Sequence, residues 1–229
     1  MQLQEVLFSQ GFGTRHECCG IIAQGRVTFN GILLNDPWAE VDTNGLNFSV
    51  DGVNWSYVSQ AVIALHKPSG YECSRKPLHH PSVLSLLPAP LRNRGVQPVG
   101  RLDEDTTGLL ILTDDGPLLH RLTHPKKHVS KLYRVTVKHA LTDSMMKQLQ
   151  GGVLLDGEIE KVAAQEVTII NDHVFLMKIT QGKYHQVKRM VAAVGNRVQF
   201  LHREAFGKYH LSDDLLPMQW KFITKEALI

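Results

Sequence analysis

The feature that most constrains this chain is its supply of short, strand-length runs at irregular spacing. Residues 61–66, 109–113, 132–137, 161–170, 174–180 and 198–202 are β-branched or alternating, which is the pattern of strands. Between them only 142–150 and 184–194 carry apolar residues at helical spacing. A regular βαβ repeat would need a helix between most pairs of strands, so this order predicts an α+β fold on a mixed, mostly antiparallel sheet. The first 57 residues read differently. Leu3, Val6 and Leu7 predict a short helix over 2–10, and Thr14-Arg15-His16-Glu17 is a capping box opening a second. That helix has Cys18, Ile21 and Ile22 on its apolar face and Gly25 as its stop. Asn30-Gly31 and Asp51-Gly52, each between short apolar runs, then predict two tight hairpins. Ser59-Gln60 is the expected linker, dividing the chain into domains at 1–58 and 59–229.

Charge separates the same two pieces. Residues 1–58 hold two cations (Arg15, Arg26) and six carboxylates, a net of −4, whereas 59–229 carries +7 and eleven of the twelve histidines. The net +3 is the sum of two regions with different tasks. With 43% hydrophobic residues the chain can bury a full core, which excludes a disordered or collagen-like polymer. No apolar run approaches the ~20 residues of a membrane span, and the N-terminus lacks the basic and apolar regions of a signal peptide. Three cysteines, two of them adjacent, suit a reducing compartment. The expectation is a cytoplasmic protein.

Three stretches carry candidate chemistry. Gly100-Arg101-Leu102-Asp103-Glu104-Asp105-Thr106-Thr107-Gly108 sets three acids between two glycines, just before an apolar strand. One reading is a solvated turn capped by Asp and Thr. The other places a carboxylate at the rim of a cleft, with Arg101 pointing into it and Asp105 to Gly108 as hydrogen-bonded support. In the second stretch, 131–137, Lys131, Tyr133, Val135 and Val137 share one strand face. Tyr133 is then either a core aromatic or a ring lining a site. No Asp or Glu occurs from Gly116 to Leu141, yet Arg121, Lys126, Lys127, Lys131, Arg134 and Lys138 do. Six cations without a counter-charge point to a polyanion. In the third stretch, Val187, Met190, Val191 and Val194 bury one helix face, with Lys188 at its edge. A lysine there can reach a carboxylate across a cleft. Lys183, His185 and Arg189 are placed to meet phosphates. No metal-ligand spacing or phosphate-binding glycine loop is present.

Together these segments resemble the pseudouridine synthases of the ribosomal small-subunit type, the RsuA family. GRLDEDTTGLLILTDDG, KLYRVTV and GKYHQVKRMVAAVGN occur in that family's order and spacing. His66-Lys67-Pro68-Ser69-Gly70-Tyr71 is similar to its N-K-P-x-G-Y/F segment, and Leu201-His202-Arg203-Glu204 to its late L-H/R-R-E segment. The resemblance implies a small S4-like α/β RNA-binding domain, in which Arg15 and Arg26 are the remaining candidate phosphate contacts. It further implies a catalytic domain on a long mixed sheet with flanking helices. By the matching motifs Asp103 would be the catalytic aspartate, Tyr133 the ring against the target uracil, Lys188 the cation paired with Asp103, and Arg101 the filler of the vacated base stack. The implied reaction turns a specific uridine of 16S rRNA into pseudouridine, the family's usual target being uridine-516. A 23S target or a non-catalytic assembly role are the alternatives, and a glycoside hydrolase is the reading from another class. Breaking an N-glycosidic bond and rejoining the same base through C5 needs no cofactor and no metal. The implied partner is ribosomal RNA, acted on by a monomer without a membrane.

Overall fold

The computed structural model describes residues 1–229, which form two compact units. The first comprises Met1–Ala61 together with Leu87–Val96, and the second Val62–Leu86 with Gln97–Ile229.

In the first unit, α1 (Leu3–Ser9) and α2 (Arg15–Ala23) precede a four-stranded antiparallel sheet. Its strands are β1 (Val27–Phe29), β2 (Ile32–Leu33), β3 (Asn47–Val50) and β4 (Val53–Ser56), in the order β2-β1-β3-β4. The sequence signals act locally here. Thr14 Oγ1 accepts from the Glu17 amide, and the Glu17 carboxylate accepts from the Thr14 amide at 2.7 Å. Asn30 and Gly31 both have positive φ, as do Asp51 and Gly52, which matches the strand twist across a two-residue turn. Leu3, Leu7, Ile22, Val27, Phe29 and Phe48 form the core. The short α3 (Ala89–Asn93) also belongs to this unit. Arg94 Nη1 donates to Gln10 Oε1 at 2.8 Å and to Val58 O at 3.0 Å. Residues 87–96 therefore leave the region in which the sequence order alone would put them.

The second unit is built on one nine-stranded mixed sheet. Its strands include β5 (Val62–Lys67), β6 (Gln97–Pro98), β7 (Thr107–Thr113) and β8 (Lys131–Val137). A two-stranded ribbon, β9 (Val153–Leu154) with β10 (Lys161–Val162), stands apart from it. Further along the chain come β11 (Glu166–Asn171), β12 (Val174–Ile179), β13 (Val198–Phe206), β14 (Tyr209–His210) and β15 (Trp220–Phe222). The main path runs β11-β12-β8-β13-β7-β5-β15, antiparallel except for the parallel contact of β13 with β7. The run expected over 161–170 is broken into β10 and β11, because Ala163, Ala164 and Gln165 lie outside both ladders. Leu109, Leu110, Ile111 and Leu112 are wholly buried, as a central strand covered on both faces requires. The helices are α4 (Gly116–Thr123), α5 (Asp143–Gly151) and α6 (Gln186–Ala193). α4 sets Leu118 and Leu122 against Leu109 and Ile111, each leucine contributing about 2 kcal/mol of burial. Within the basic run 116–141, read for charge, the sequence pattern had not marked this helix. No helix is long and apolar enough to cross a membrane.

Candidate active site

The loop between β6 and β7 carries Asp103, and a buried lysine shapes it. Lys67, at the end of β5, has no exposed surface. Its Nζ lies 3.1 Å from Pro68 O, 3.1 Å from Asp103 O, 2.9 Å from Glu104 O and 2.8 Å from Thr106 O. Burial pushes the Lys67 ammonium below its ordinary value, and the nearby charges of Cys73, Glu104, Asp105 and Asp103 oppose that. The Gly70 amide donates to Glu104 O at 2.9 Å, and the Leu102 amide to Cys73 Sγ at 3.4 Å. So the HKPSGY segment is the scaffold of the acidic loop. Of the support expected from Asp105 to Gly108, the Thr106 amide donates to Asp103 O at 3.2 Å, while the side chains of the segment turn elsewhere. Thr106 Oγ1 is buried without a partner, Thr107 Oγ1 bonds to His202 Nδ1 at 2.8 Å, and Asp105 turns to Lys188.

Asp103 stands at the meeting point of that loop and α6. Lys188 Nζ is 3.0 Å from Asp103 Oδ2 and 2.6 Å from Asp105 Oδ1, and His185 Nε2 is 3.3 Å from Asp103 Oδ1. Partial burial would lower the Lys188 ammonium. Hydrogen bonds and charges from Asp105 and Asp103 outweigh it and raise Lys188 above its usual value. α6 begins two residues later than its apolar spacing suggests, because His185 takes φ 48° and turns the chain. Gln186 Oε1 accepts from the Lys183 amide at 3.0 Å and closes this turn. Val187, Met190 and Val191 anchor the helix in the core, which fixes Lys188 at its edge.

A cavity of about 490 Å³ opens at Gly100 and Arg101, just before Asp103 in the same loop. Arg101, Lys131, Tyr133, Lys183 and Arg203 line it, as do Lys126, His124 and His128. Val99, Leu122, Val129 and Phe206 provide apolar walls, and no Asp or Glu is among the lining residues. Asp103 and Lys188 are not in the lining; Arg101 and Gly182-Lys183 connect the two places along the chain. Tyr133 is 8% exposed and pairs across the ladder with Arg203 on β13. Gly108 (φ +103°) makes the β7–β13 contact possible, because a Cβ there would lie 2.4 Å from Arg203 O.

The other expected RNA contacts divide into free and paired groups. Lys126 and Lys127 are exposed on the turn after α4, whereas Arg121 faces a separate depression with Lys225 and Glu226. Ion pairs from distant segments engage three of these cations. Arg134 is not without a counter-charge, since its Nε lies 2.6 Å from Glu204 Oε1. Lys183 is bound to Glu158, and Arg189 lies 3.6 Å from the same carboxylate, so both already have an anion. Among the first-unit contacts, Arg26 makes two hydrogen bonds to Asp51, at 2.7 and 2.6 Å, and Arg15 lies 3.8 Å from Glu5. Sequence reasoning passed over Lys67 as scaffold and Arg203 in the cavity wall. The signal for each was present only as a cation in a short string that resembles a family segment.

A carboxylate–lysine pair between a loop and α6, together with a tyrosine-walled, cation-lined cavity on the sheet, suits an enzyme that acts on a nucleotide polymer. The family described as RNA pseudouridylate synthase matches residues 61–193. The chain belongs to that family and is an isomerase of the RNA pseudouridine synthase class, as the resemblance implied. It is 44% identical over 208 residues to the ribosomal small subunit pseudouridine synthase A of Yersinia pestis, covering 91% of this chain and 86% of that one. It is 35% identical over 230 residues to the enzyme of the same name from Vibrio parahaemolyticus, covering 100% and 98%. A solved structure titled crystal structure of pseudouridylate synthase superposes with a TM-score of 0.70 at 30% identity, over 100% of this chain and 98% of the other. Family membership sets aside the hydrolase and the non-catalytic readings.

Proposed function

We propose that this enzyme isomerises a specific uridine of small-subunit rRNA, with uridine-516 of 16S rRNA as the expected target. The observation that carries the reading is the Asp103–Lys188 pair, 3.0 Å apart, in a loop whose Arg101 also lines a cavity with Tyr133 and further cations but no carboxylate. The small-subunit names of the relatives supply the substrate. In this reading the target nucleotide leaves its helix, and Arg101 fills the gap. Asp103 meets the sugar near C1′, where a carboxylate assists cleavage of the N1–C1′ bond by attack, by charge stabilisation or by helping to deprotonate C2′. Lys188 keeps that carboxylate oriented and its charge balanced. Tyr133 packs against the freed uracil while it turns. A C5–C1′ bond then forms, N1 gains a proton, and C5 loses its proton to solvent. The base, the sugar and the redox state are conserved, so the scheme calls for no cofactor.

RNA docking falls chiefly to Lys126, Lys127, Lys131 and Arg101, with His185, Lys183, Arg189 and Arg121 around them. Residues 1–58 act as an S4-like auxiliary RNA-binding domain beside a catalytic domain of 59–229. The acidic balance and the paired Arg15 and Arg26 make its electrostatic share small. The enzyme works as a monomer in the cytoplasm. Mapping pseudouridines in rRNA from cells with and without the gene tests the reading. One small-subunit position should lose its modification in the deletion strain. A loss confined to large-subunit rRNA, or no loss, would overturn it.

A further inference from the structure

The cavity wall contains a cation that the reaction scheme leaves unused. Arg203 is 2% exposed, and its Nε donates to Leu109 O at 2.7 Å. Its Nη2 is buried with no partner in the protein. A buried guanidinium normally has its donors satisfied, because an unmet charged donor is costly. No carboxylate neutralises it. Its Cζ lies 5.3 Å from the Phe206 ring, and a second cation, Lys131, has its Nζ 5.7 Å from the same ring. Lys131 has one carbonyl, Thr180 O at 3.3 Å, and burial with the charge of Arg203 pulls it down to about 8. Arg203 and Tyr133 are register partners on adjacent antiparallel strands, and Lys131 is two residues from Tyr133. All three side chains therefore sit on one face of the sheet, and all line the same cavity.

We propose that Arg203, with Lys131, forms a donor-only wall that reads the carbonyl oxygens of the target base, so that the pocket accepts uracil and rejects cytosine. This rests on the reading of the cavity as the place of the base. Uracil presents two carbonyl acceptors around N3–H. Cytosine replaces one of them with an amino group, which would turn a donor toward a cationic donor. That mismatch leaves buried hydrogen-bonding groups unpaired on both sides, the situation in which polar sites discriminate most strongly. A phosphate is the other acceptor-rich group of RNA. The walls of Val99, Leu122, Val129 and Phe206 and the buried tyrosine suit a flat heterocycle better.

The test compares three versions of a small-subunit rRNA hairpin, carrying uridine, cytidine or no base at the target position. Binding is measured in the full-length Asp103→Asn background so that the substrate survives. With Arg203 intact, the uridine hairpin should bind about 10- to 100-fold tighter than the cytidine hairpin. Arg203→Met should reduce that ratio to about threefold or less and leave the abasic hairpin unchanged. An equal loss on all three hairpins would identify a phosphate contact and overturn the proposal. A ratio that survives the change would show a purely structural arginine and also overturn it. Thermal unfolding checks that the variant is folded. Should Arg203→Met not fold, Lys131→Met must narrow the same ratio, and an unchanged ratio then rejects the wall. An intact enzyme that releases tritium from 5-tritiated uridine while either rejection holds fails this inference alone. One that releases none fails the functional reading itself.

Discussion

The loop around Asp103 and the strand wall around Arg203 treat their buried cations in opposite ways. On the loop side, Lys67 is surrounded by four carbonyl oxygens, and Lys188 holds two carboxylates. Both of these cations are answered by the protein. On the wall, Arg203 keeps an unpartnered Nη2 and Lys131 one long contact. The first arrangement sets Asp103, the proposed reacting group, in place before any ligand arrives, which avoids reorganisation during reaction. The second leaves a donor that the protein itself does not satisfy. In the proposed roles, one side is pre-organised for chemistry and the other is left unsatisfied for recognition.

Breaking the satisfied side should cost stability first. Lys67→Met removes the common donor of the carbonyls at Asp103, Glu104 and Thr106. The expected loss is about 3 kcal/mol or more, since each stranded buried carbonyl costs ~1 kcal/mol or more. Thermal unfolding should fall by about 6–12 °C.

Breaking the unsatisfied side should cost affinity instead. Lys131, at about 8 in the folded chain, lies below the ~10.4 of a free lysine. The folded state thus binds fewer protons than the unfolded one between those values, and stability rises as pH climbs from about 8 to about 10.4. RNA affinity runs the other way, because the ammonium is lost as pH passes about 8. Binding titrations at pH 7 and pH 9 should differ by about tenfold in the intact protein. In Lys131→Met that step should be missing, with no loss in thermal stability at pH 7. A smaller effect marks the first unit. Arg26 is exposed and already bound to Asp51, so Arg26→Ala should change rRNA affinity by no more than about twofold in a filter-binding assay. A larger loss would show that RNA displaces Asp51.

What the sequence disclosed follows the range of the interactions involved. The Asn30-Gly31 and Asp51-Gly52 turns and the Thr14 capping box depend on neighbours only, and all were legible. So was the alternation that puts Lys131 and Tyr133 on one face, and the spacing that fixes Lys188 at the edge of α6. Hidden were the features made by pairing of distant segments. Arg134 looked uncompensated because Glu204 lies 70 residues away and meets it across the sheet. Lys183 and Arg189 looked free because Glu158 comes from the turn after β9. Lys67 reads as one letter of a short string until its carbonyl partners, 36 to 39 residues on, fold around it. α4 escaped because its apolar face amounts to Leu118 and Leu122 within a stretch dominated by histidines and cations.

The central claim is that Asp103, held by Lys188, carries the isomerisation of a small-subunit uridine. Tritium release from 5-tritiated uridine in small-subunit rRNA tests it most directly, because forming the C5–C1′ bond must expel the label. The intact enzyme should release one tritium per modified site. Asp103→Asn should slow release by at least about 10³-fold while keeping RNA affinity within about threefold. Release by Asp103→Asn at a rate near that of the intact enzyme would contradict the account.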